Sequence, residues 1–453
     1  MSAILRANLV RAVRVALFAS VLLALVMPAA QAAATRLWVH RYDNGDIDEA
    51  TAIALDNSGN VYVAGRSHGG ATQEDYLVIK YGPNGAVKWM RRYDAAGLWD
   101  GARGVAVDDS GNVYVTGRSF GSGTHGDVAT IKYDSDGNQK WVRRYSSSGY
   151  YDDGAMDIAL DTNGNVIVTG FTTTKGSAFD FLTIKYSPSG SPIFTKGYNG
   201  PGDGGDTARG VAVDSQNNVY VTGASMGDGT NWDIATIKYT PSGVQEWVRR
   251  WDSPQHRSDG STDIAVDDYD FPYVTGYSYL GASDSDYMTI KYNRDGTLKW
   301  WQRYNAPANG PDVAWAIAID GNGIYVTGSS LGKSTDADYA TIRYFRGGTA
   351  VSFVKRYSGP AKGADVANAL VAANGRVYVT GFSTGSGTSG DYYTVCYGEG
   401  GGYKWADRYN GTGNDFDQGN AIGINPVNGN VYVTGGSRGA GTKSDFLTIG
   451  YAP

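Results

Sequence analysis

The sequence predicts an all-β protein, an eight-bladed β-propeller whose four-stranded antiparallel blades form a ring closed by the N-terminal strand. Three observations carry this prediction. A string close to DDSGNVYVTG (Asp108 to Gly117) recurs, and its closing glycine falls at Gly65, Gly117, Gly170, Gly223, Gly276, Gly328, Gly381 and Gly435, which marks eight units. Each unit holds four short runs rich in β-branched and aromatic residues, separated by Gly, Asp, Asn, Ser and Pro, and no run has a sustained helical period. The chain after the leader opens on an isolated run of the fourth type, LWVHRY (Leu37 to Tyr42), and closes after a run of the third type, DFLTIGY (Asp445 to Tyr451). Pairing those two runs would complete the eighth blade and remove the exposed edges of an open array. A solenoid would instead need distinct capping repeats at both ends, and none is visible.

Residues 1–32 read as a secretory leader. Arg6, Arg11 and Arg14 make a positive start, Val15 to Met27 form an apolar stretch too short to span a bilayer, and Ala30-Gln31-Ala32 suits signal peptidase. The expectation is a secreted or periplasmic protein, cleaved near Ala32, whose residues 33–453 form a single propeller domain. Removing the leader leaves 36 basic against 45 acidic residues, a net charge of −9, which argues against nucleic acid and anionic membranes as partners. No later run is apolar enough to insert in a membrane, and a monomer is expected. The single cysteine, Cys396, occupies a slot that holds Lys or Arg in the first six units and reads as a structural thiol.

Within the second unit the runs are GVAVD (Gly104 to Asp108), NVYVTG (Asn112 to Gly117), DVATIKY (Asp127 to Tyr133) and QKWVRRY (Gln139 to Tyr145). The first type alternates small and branched residues, as suits an innermost strand crowded at the axis. The fourth carries Trp89, Trp141, Trp247, Trp300 and Trp405, as suits a wide outer strand packed against the next blade. The combination of GNVYVTG, DYxTIKY, a polar glycine turn and KWxRRY resembles the bacterial SBBP-type β-propeller repeat over essentially all of Leu37 to Tyr451. That resemblance implies a propeller, often exported, and no common reaction; the family name implies seven blades, whereas eight units are counted here.

Several strings look catalytic and are better read as scaffold. GxSxG occurs six times, as in GRSHG at Gly65 and GRSFG at Gly117, always after the second run and never before a helix, so it reads as a turn requirement. GSGTHG (Gly121 to Gly126) and GSGTSG (Gly385 to Gly390) match a dinucleotide fingerprint but lead into strands. DSDGNQKW (Asp134 to Trp141) has the spacing of quinoprotein propellers and starts like a calcium loop. It lacks the further acidic ligands, and a vicinal disulfide is impossible with one cysteine. Four histidines, His40, His68, His125 and His256, fall at unequal positions. No cofactor, metal site or catalytic residue is therefore assigned.

Function is expected on the face that carries the long, variable loops between second and third strands and from blade to blade. An acidic residue opens every third strand: Asp75, Asp127, Asp180, Asp233, Asp286, Asp338, Asp391 and Asp445. Its periodicity favours a structural role, such as capping loop N–H groups, over a ring of ligands. Trp99, Tyr150, Tyr151, Phe179 and Trp232 break the repeat within blades two to four. With Asp100, Asp153 and Asp233 they are the candidate ligand-binding residues, suited to stacking on sugar rings or anchoring a protein. The reading is an exported binding module for polysaccharide or envelope protein. One alternative is a polysaccharide lyase or glycoside hydrolase using Asp100, Asp152, Asp153 and Asp233; another is a structural surface protein, and aromatics that merely pack onto blade edges would fit equally.

Overall fold

The computed structural model describes residues 33–453 apart from 71–72, 123–124, 148–150, 174–177, 282–283, 322 and 349. The expected leader and Tyr150 lie outside the described residues. From β1 (Arg36–Tyr42) to β32 (Ser444–Tyr451), the strands form eight antiparallel four-stranded sheets and no helix is present among the described residues. Seven sheets take their strands in chain order. The eighth joins β1 to the last three strands, β30 (Asp417–Ile424), β31 (Val431–Arg438) and β32. Its register sets Tyr42 opposite Phe446 and His40 opposite Thr448, so the expected closure is present. A second latch lies beside it. Ala33 makes a parallel bridge to Ala406 of the neighbouring blade, and Arg36 pairs with Asp407 at 2.7 Å.

A feature invisible as such in the sequence shapes every blade. Each first strand carries a one-residue bulge, so that Thr51, Arg103, Met156, Arg209, Thr262, Trp315, Asn368 and Asn420 are extra residues opposite the second strand. The bulge drives a first-strand carbonyl against the second strand. A Cβ at Gly117 would overlap the Gly101 oxygen and lie 2.8 Å from Ala102 Cα, and each of the other seven marker glycines meets the equivalent carbonyl. The glycine recurs because backbone, which cannot swing aside, occupies the place of a side chain.

The short turn that follows the first strand explains the rest of the recurring string. Asp108 accepts the N–H groups of Ser110 at 3.0 Å and Asn112 at 2.9 Å, the Asn112 side-chain amide at 2.8 Å and the Tyr114 hydroxyl at 3.0 Å. Gly111 sits at φ 76°, and Asn217 and Asp270, two residue types that tolerate this conformation, replace it in blades four and five. Neighbouring blades are joined by the outer tryptophans. Trp89 is buried and donates from Nε1 to the Ser135 carbonyl of the next blade at 3.0 Å; Trp141 and Trp247 do the same to Pro188 and Arg294.

One expectation is corrected at the long-loop edge. The serine of GxSxG does not sit in a turn, because the second strand of blade two runs on through Val113–Phe120, and Ser119 is buried inside it. The third-strand aspartate ties strands and loop together: the loop hydroxyls of Thr388 and Thr442 donate to Asp391 and Asp445. Ser119 lies between Asp100 and Asp127 in register, and Arg144 of the fourth strand pairs with Asp127 at 2.6 Å, the Ser119 hydroxyl at 2.5 Å and the Tyr93 hydroxyl of the preceding blade at 3.3 Å. Seven of the eight third-strand aspartates are ion-paired in this way; in blade three Gly197 stands where the arginine would be. The aspartates at the start of the first strands, all fully buried, cap loop amides. Asp206, for example, accepts the Gly200 amide at 2.7 Å and the Met226 amide at 2.8 Å.

Two outcomes follow from this frame. Gly117→Ala should cost about 3 kcal/mol in urea unfolding, the upper range for overpacking, because its neighbour is backbone. Arg144→Ala should cost about 3 kcal/mol by leaving Asp127 buried without its counter-charge, and Asp127→Asn in the same chain should restore much of that loss; a purely additive double variant would contradict the coupling.

Candidate functional site

The bulge gives the inner strands a chemical role. Each one turns its extra side chain out of the alternating pattern, and most of these side chains, or their neighbours, bond to the next blade. Thr51 Oγ1 donates to the Ala102 carbonyl at 2.9 Å, Thr262 to Ala314 at 2.8 Å, Asn368 to Gly419 at 2.9 Å and Asn420 to Ala50 at 2.9 Å. Arg103, Arg209 and Trp315 stand out at this position. All three are exposed.

One residue past the bulge, small side chains give way twice to acids. Asp157 accepts its neighbour Ile158 N–H at 2.8 Å and the Val211 N–H of the next blade at 2.9 Å. Asp263 does the same with Ile264 at 2.8 Å and Ile317 at 2.9 Å. Burial raises both carboxyls, Asp157 to about 6 and Asp263 to about 7, against the pull of the two amides; the charge of Asp157 adds to the rise at Asp263. Both line an axial cavity of about 390 Å³ together with Arg103, Trp315 and Asn420.

The axial cavity shares Thr51, Arg103 and Asn420 with a polar trough over blades eight, one and two. Its middle section, also about 390 Å³, is walled by Glu49, Arg66, Trp99, Arg103, Gln418 and Asn420. Glu49 organises this wall: it pairs with Arg66 at 2.8 Å and accepts the side-chain amides of Gln418 and Asn420, each at 3.2 Å. Arg103 has no hydrogen-bond or ionic partner among the described residues. On one side Trp99 separates the trough from a more apolar hollow with Leu98, Phe120 and Arg118. On the other, Glu49, Arg66 and Gln418 continue into a cavity of about 460 Å³ with Phe416 and Arg438.

Among the described aromatic residues expected to form a site, the structure brings Trp99 alone to this trough. The half-buried Trp99 packs edge-on to Phe120 at 6.0 Å, and a Cβ on Gly101 would come within 2.7 Å of its indole. Phe179, 41% exposed, packs on Phe171 at 4.7 Å, and Trp232, 43% exposed, donates from Nε1 to the Gly205 carbonyl at 2.8 Å. Tyr151 is half-buried and lines none of these cavities.

The carboxylates differ more from expectation. Asp100 and Asp153 are fully buried and hold the crossing loops, Asp100 through the Ala95 amide at 3.0 Å and Asp153 through the Ser147 amide at 2.6 Å. Asp233 is buried against Arg250 at 2.6 Å, and Asp152 pairs with Arg118. None of the four is a free acid or base. Cys396 is buried, and burial pushes its thiol up to about 12, in keeping with a structural role.

Sequence reasoning missed Glu49, Arg66, Arg103, Gln418 and Asn420 at the trough, and Asp157 and Asp263 at the axis. A signal existed. The bulge column reads Thr, Arg, Met, Arg, Thr, Trp, Asn, Asn around the ring, against only Ala, Ser and Gly in the column before it and Ala, Gly and Asp in the column after it.

Comparison with known proteins supports the repeat. Residues 43–70 and 100–122 match the family described as SBBP, beta-propeller repeat, as the sequence resemblance implied. An uncharacterized WD repeat-containing protein of Acanthamoeba polyphaga mimivirus is 23% identical over 371 residues, which is 70% of this chain and 22% of that protein. The chain thus spans about a fifth of the curated relative it matches. Among solved structures, a europium-containing methanol dehydrogenase aligns with 92% of this chain and 93% of its own, at 11% identity and a TM-score of 0.47. An eukaryotic initiation factor aligns over 81% and 79%, at 9% identity and 0.41, and a glucose dehydrogenase over 62% and 92%, at 10% and 0.36.

The axial acids give a testable pH dependence. Their carboxyls keep protons to higher pH than the unfolded chain does, so the native state binds more protons between about pH 4 and 7 and stability falls as pH rises through that window. The double variant Asp157→Asn, Asp263→Asn should flatten this part of the profile in urea unfolding at pH 4.5 and 7.5. An unchanged slope would show that the two acids do not titrate as described.

Proposed function

We propose that this protein is an exported binding module that holds a polysaccharide chain in the trough over blades eight, one and two. The carrying observation is that Trp99 and an unpaired Arg103 wall one cavity with Glu49, Gln418 and Asn420. Sugar rings present apolar C–H faces that pack on an indole, and hydroxyls that both donate and accept. Planar carboxylate, amide and guanidinium groups answer those hydroxyls in pairs. Arg103 adds a fixed positive charge for a uronate or a hydroxyl oxygen. Cavities that share walls, through Trp99 on one side and Glu49 and Arg66 on the other, suit an extended ligand better than a small one.

Export is supported by Arg6, Arg11, Arg14, the apolar stretch to Met27 and Ala30-Gln31-Ala32. The lyase or hydrolase alternative loses its expected acids, since Asp100, Asp153 and Asp233 are engaged inside the scaffold and Asp152 is paired. Binding without turnover is therefore the better account of the trough.

Affinity electrophoresis of the purified protein through neutral and uronate-containing polysaccharides, with analysis for released oligosaccharides, tests this reading. Trp99→Ala should weaken retention about 30-fold, roughly 2 kcal/mol, as an aromatic anchor does. Phe179→Ala and Trp232→Ala should leave it unchanged. Retention indifferent to Trp99 would place binding elsewhere, and steady product release would make the protein an enzyme.

A further inference from the structure

The crossings between blades contain a second constellation, independent of the trough. Three of the eight open with an aspartate straight after the fourth strand: Asp43, Asp94 and Asp252. The other five open with Ser146, Asn199, Asn305, Ser358 and Asn410. At those three, the opening aspartate joins the buried first-strand aspartate and the third-strand aspartate of the preceding blade. The trios are Asp43, Asp48 and Asp445; Asp75, Asp94 and Asp100; and Asp233, Asp252 and Asp259, each with one carboxylate oxygen per residue within 4.8 Å of the others. Among the described residues no other cluster of His, Cys, Asp or Glu is this close.

Hydrogen bonding inside the first trio is incomplete. Asp48 and Asp445 are both fully buried, yet Oδ1 of each lacks a hydrogen-bond partner. Asp48 Oδ2 accepts the Asn44 amide at 2.6 Å, and Asp445 Oδ2 accepts from Arg41 and from Thr442 at 3.0 Å. Ser67 and the His68 amide ease the charge on Asp48, but neither reaches Oδ1 in bonding geometry. Asp43 uses one oxygen for the Gly45 amide at 2.7 Å. In the second trio the fully buried Asp100 likewise leaves Oδ1 without a partner; in the third the half-buried Asp252 does so while its Oδ2 bonds to His256 at 2.6 Å, and Asp338 and Asp391 share the feature outside the trios. Electrostatics point the same way. Three carboxylates against the single Arg41 guanidinium leave two negative charges in excess.

We propose that these three crossings are calcium sites. An all-oxygen set of carboxylates is a hard donor set. Oxygens at about 2.3–2.6 Å from Ca²⁺ lie as far as roughly 5 Å apart across its shell, whereas Mg²⁺ demands a tighter octahedron and keeps its waters. The ion takes up the unused oxygens and the excess charge together. At the first site it joins the crossing that follows β1 to β32, and so fastens the closing blade to the segment that leads into blade one.

The test uses whole protein stripped with chelator and titrated with Ca²⁺ by calorimetry, and with Tb³⁺ by luminescence excited through the protein's aromatic residues. The wild type should bind three Ca²⁺, Asp43→Asn two, and Asp43→Asn with Asp94→Asn and Asp252→Asn none within a tenfold higher concentration range. Ca²⁺ should raise the unfolding temperature of the wild type and leave that of the triple variant unchanged. Asparagine already stands at this position in three crossings, so the variants retain a residue that the repeat accepts. A wild type that binds no Ca²⁺, or a triple variant that binds as many ions as the wild type, would overturn the proposal; equal competition by Mg²⁺ would overturn the choice of calcium.

Discussion

A carbonyl oxygen pressed against a glycine sets the form of every blade. The bulge in the first strand creates the contact, and the glycine of the second strand is the one residue that survives it. Everything toward the axis follows from this pair. Without the bulge, Arg103 and Trp315 would take their place in the alternation of their strands, and a polar or aromatic side chain would enter either the tightly packed interior or the neighbouring sheet. With it, the extra residue of each blade leaves the alternation while the small residue before it stays buried.

The long-loop edge is held by buried charge. In each regular blade a first-strand aspartate, a serine, a third-strand aspartate and an arginine lie side by side across all four strands, and the arginine reaches a tyrosine of the blade before, except in blade five, where Trp251 stands in the tyrosine's place. Such pairs add little net stability over apolar packing, because desolvation offsets attraction. Their effect is on register. A one-residue slip of any strand would leave Asp127 or Arg144 buried without a partner, which apolar strands of similar sequence would not penalise. Blade three, with Thr172 and Gly197 in place of the serine and the arginine, shows that the ring tolerates one missing link.

The fold was legible because repetition exposes it. Gly65 to Gly435 count the blades, and LWVHRY at the N-terminus names the missing strand of the eighth. Side-chain roles at the long-loop edge were less legible. Gly-x-Ser carries the residue types of a turn, so strand two was read as ending at Gly117, whereas its serine is buried under an arginine 25 residues away that only tertiary register brings near. Asp127 meets Arg144 for the same reason. The site was half legible. Trp99 announced itself by breaking the repeat, but so did Phe179 and Trp232, and nothing in the sequence tells which loop lies against a cavity. Arg103, Asp157 and Asp263 escaped notice because inner strands were read for their alternation, and a bulge has no residue signature of its own apart from the glycine opposite.

The bulge column has one more consequence. Five of its side chains, Thr51, Arg103, Trp315, Asn368 and Asn420, line the axial cavity from a backbone fixed by the glycine contact. Where such a side chain bonds to no neighbouring blade, it works like a dial that turns without moving the strand beneath it. Substitution at Arg103 or Trp315 can alter charge, size or aromaticity at the cavity, whereas Thr51 and Asn368 each hold the next blade. A lineage of these repeats could therefore change what it recognises by single codon steps, while the glycines and aspartates that count its blades stayed the same.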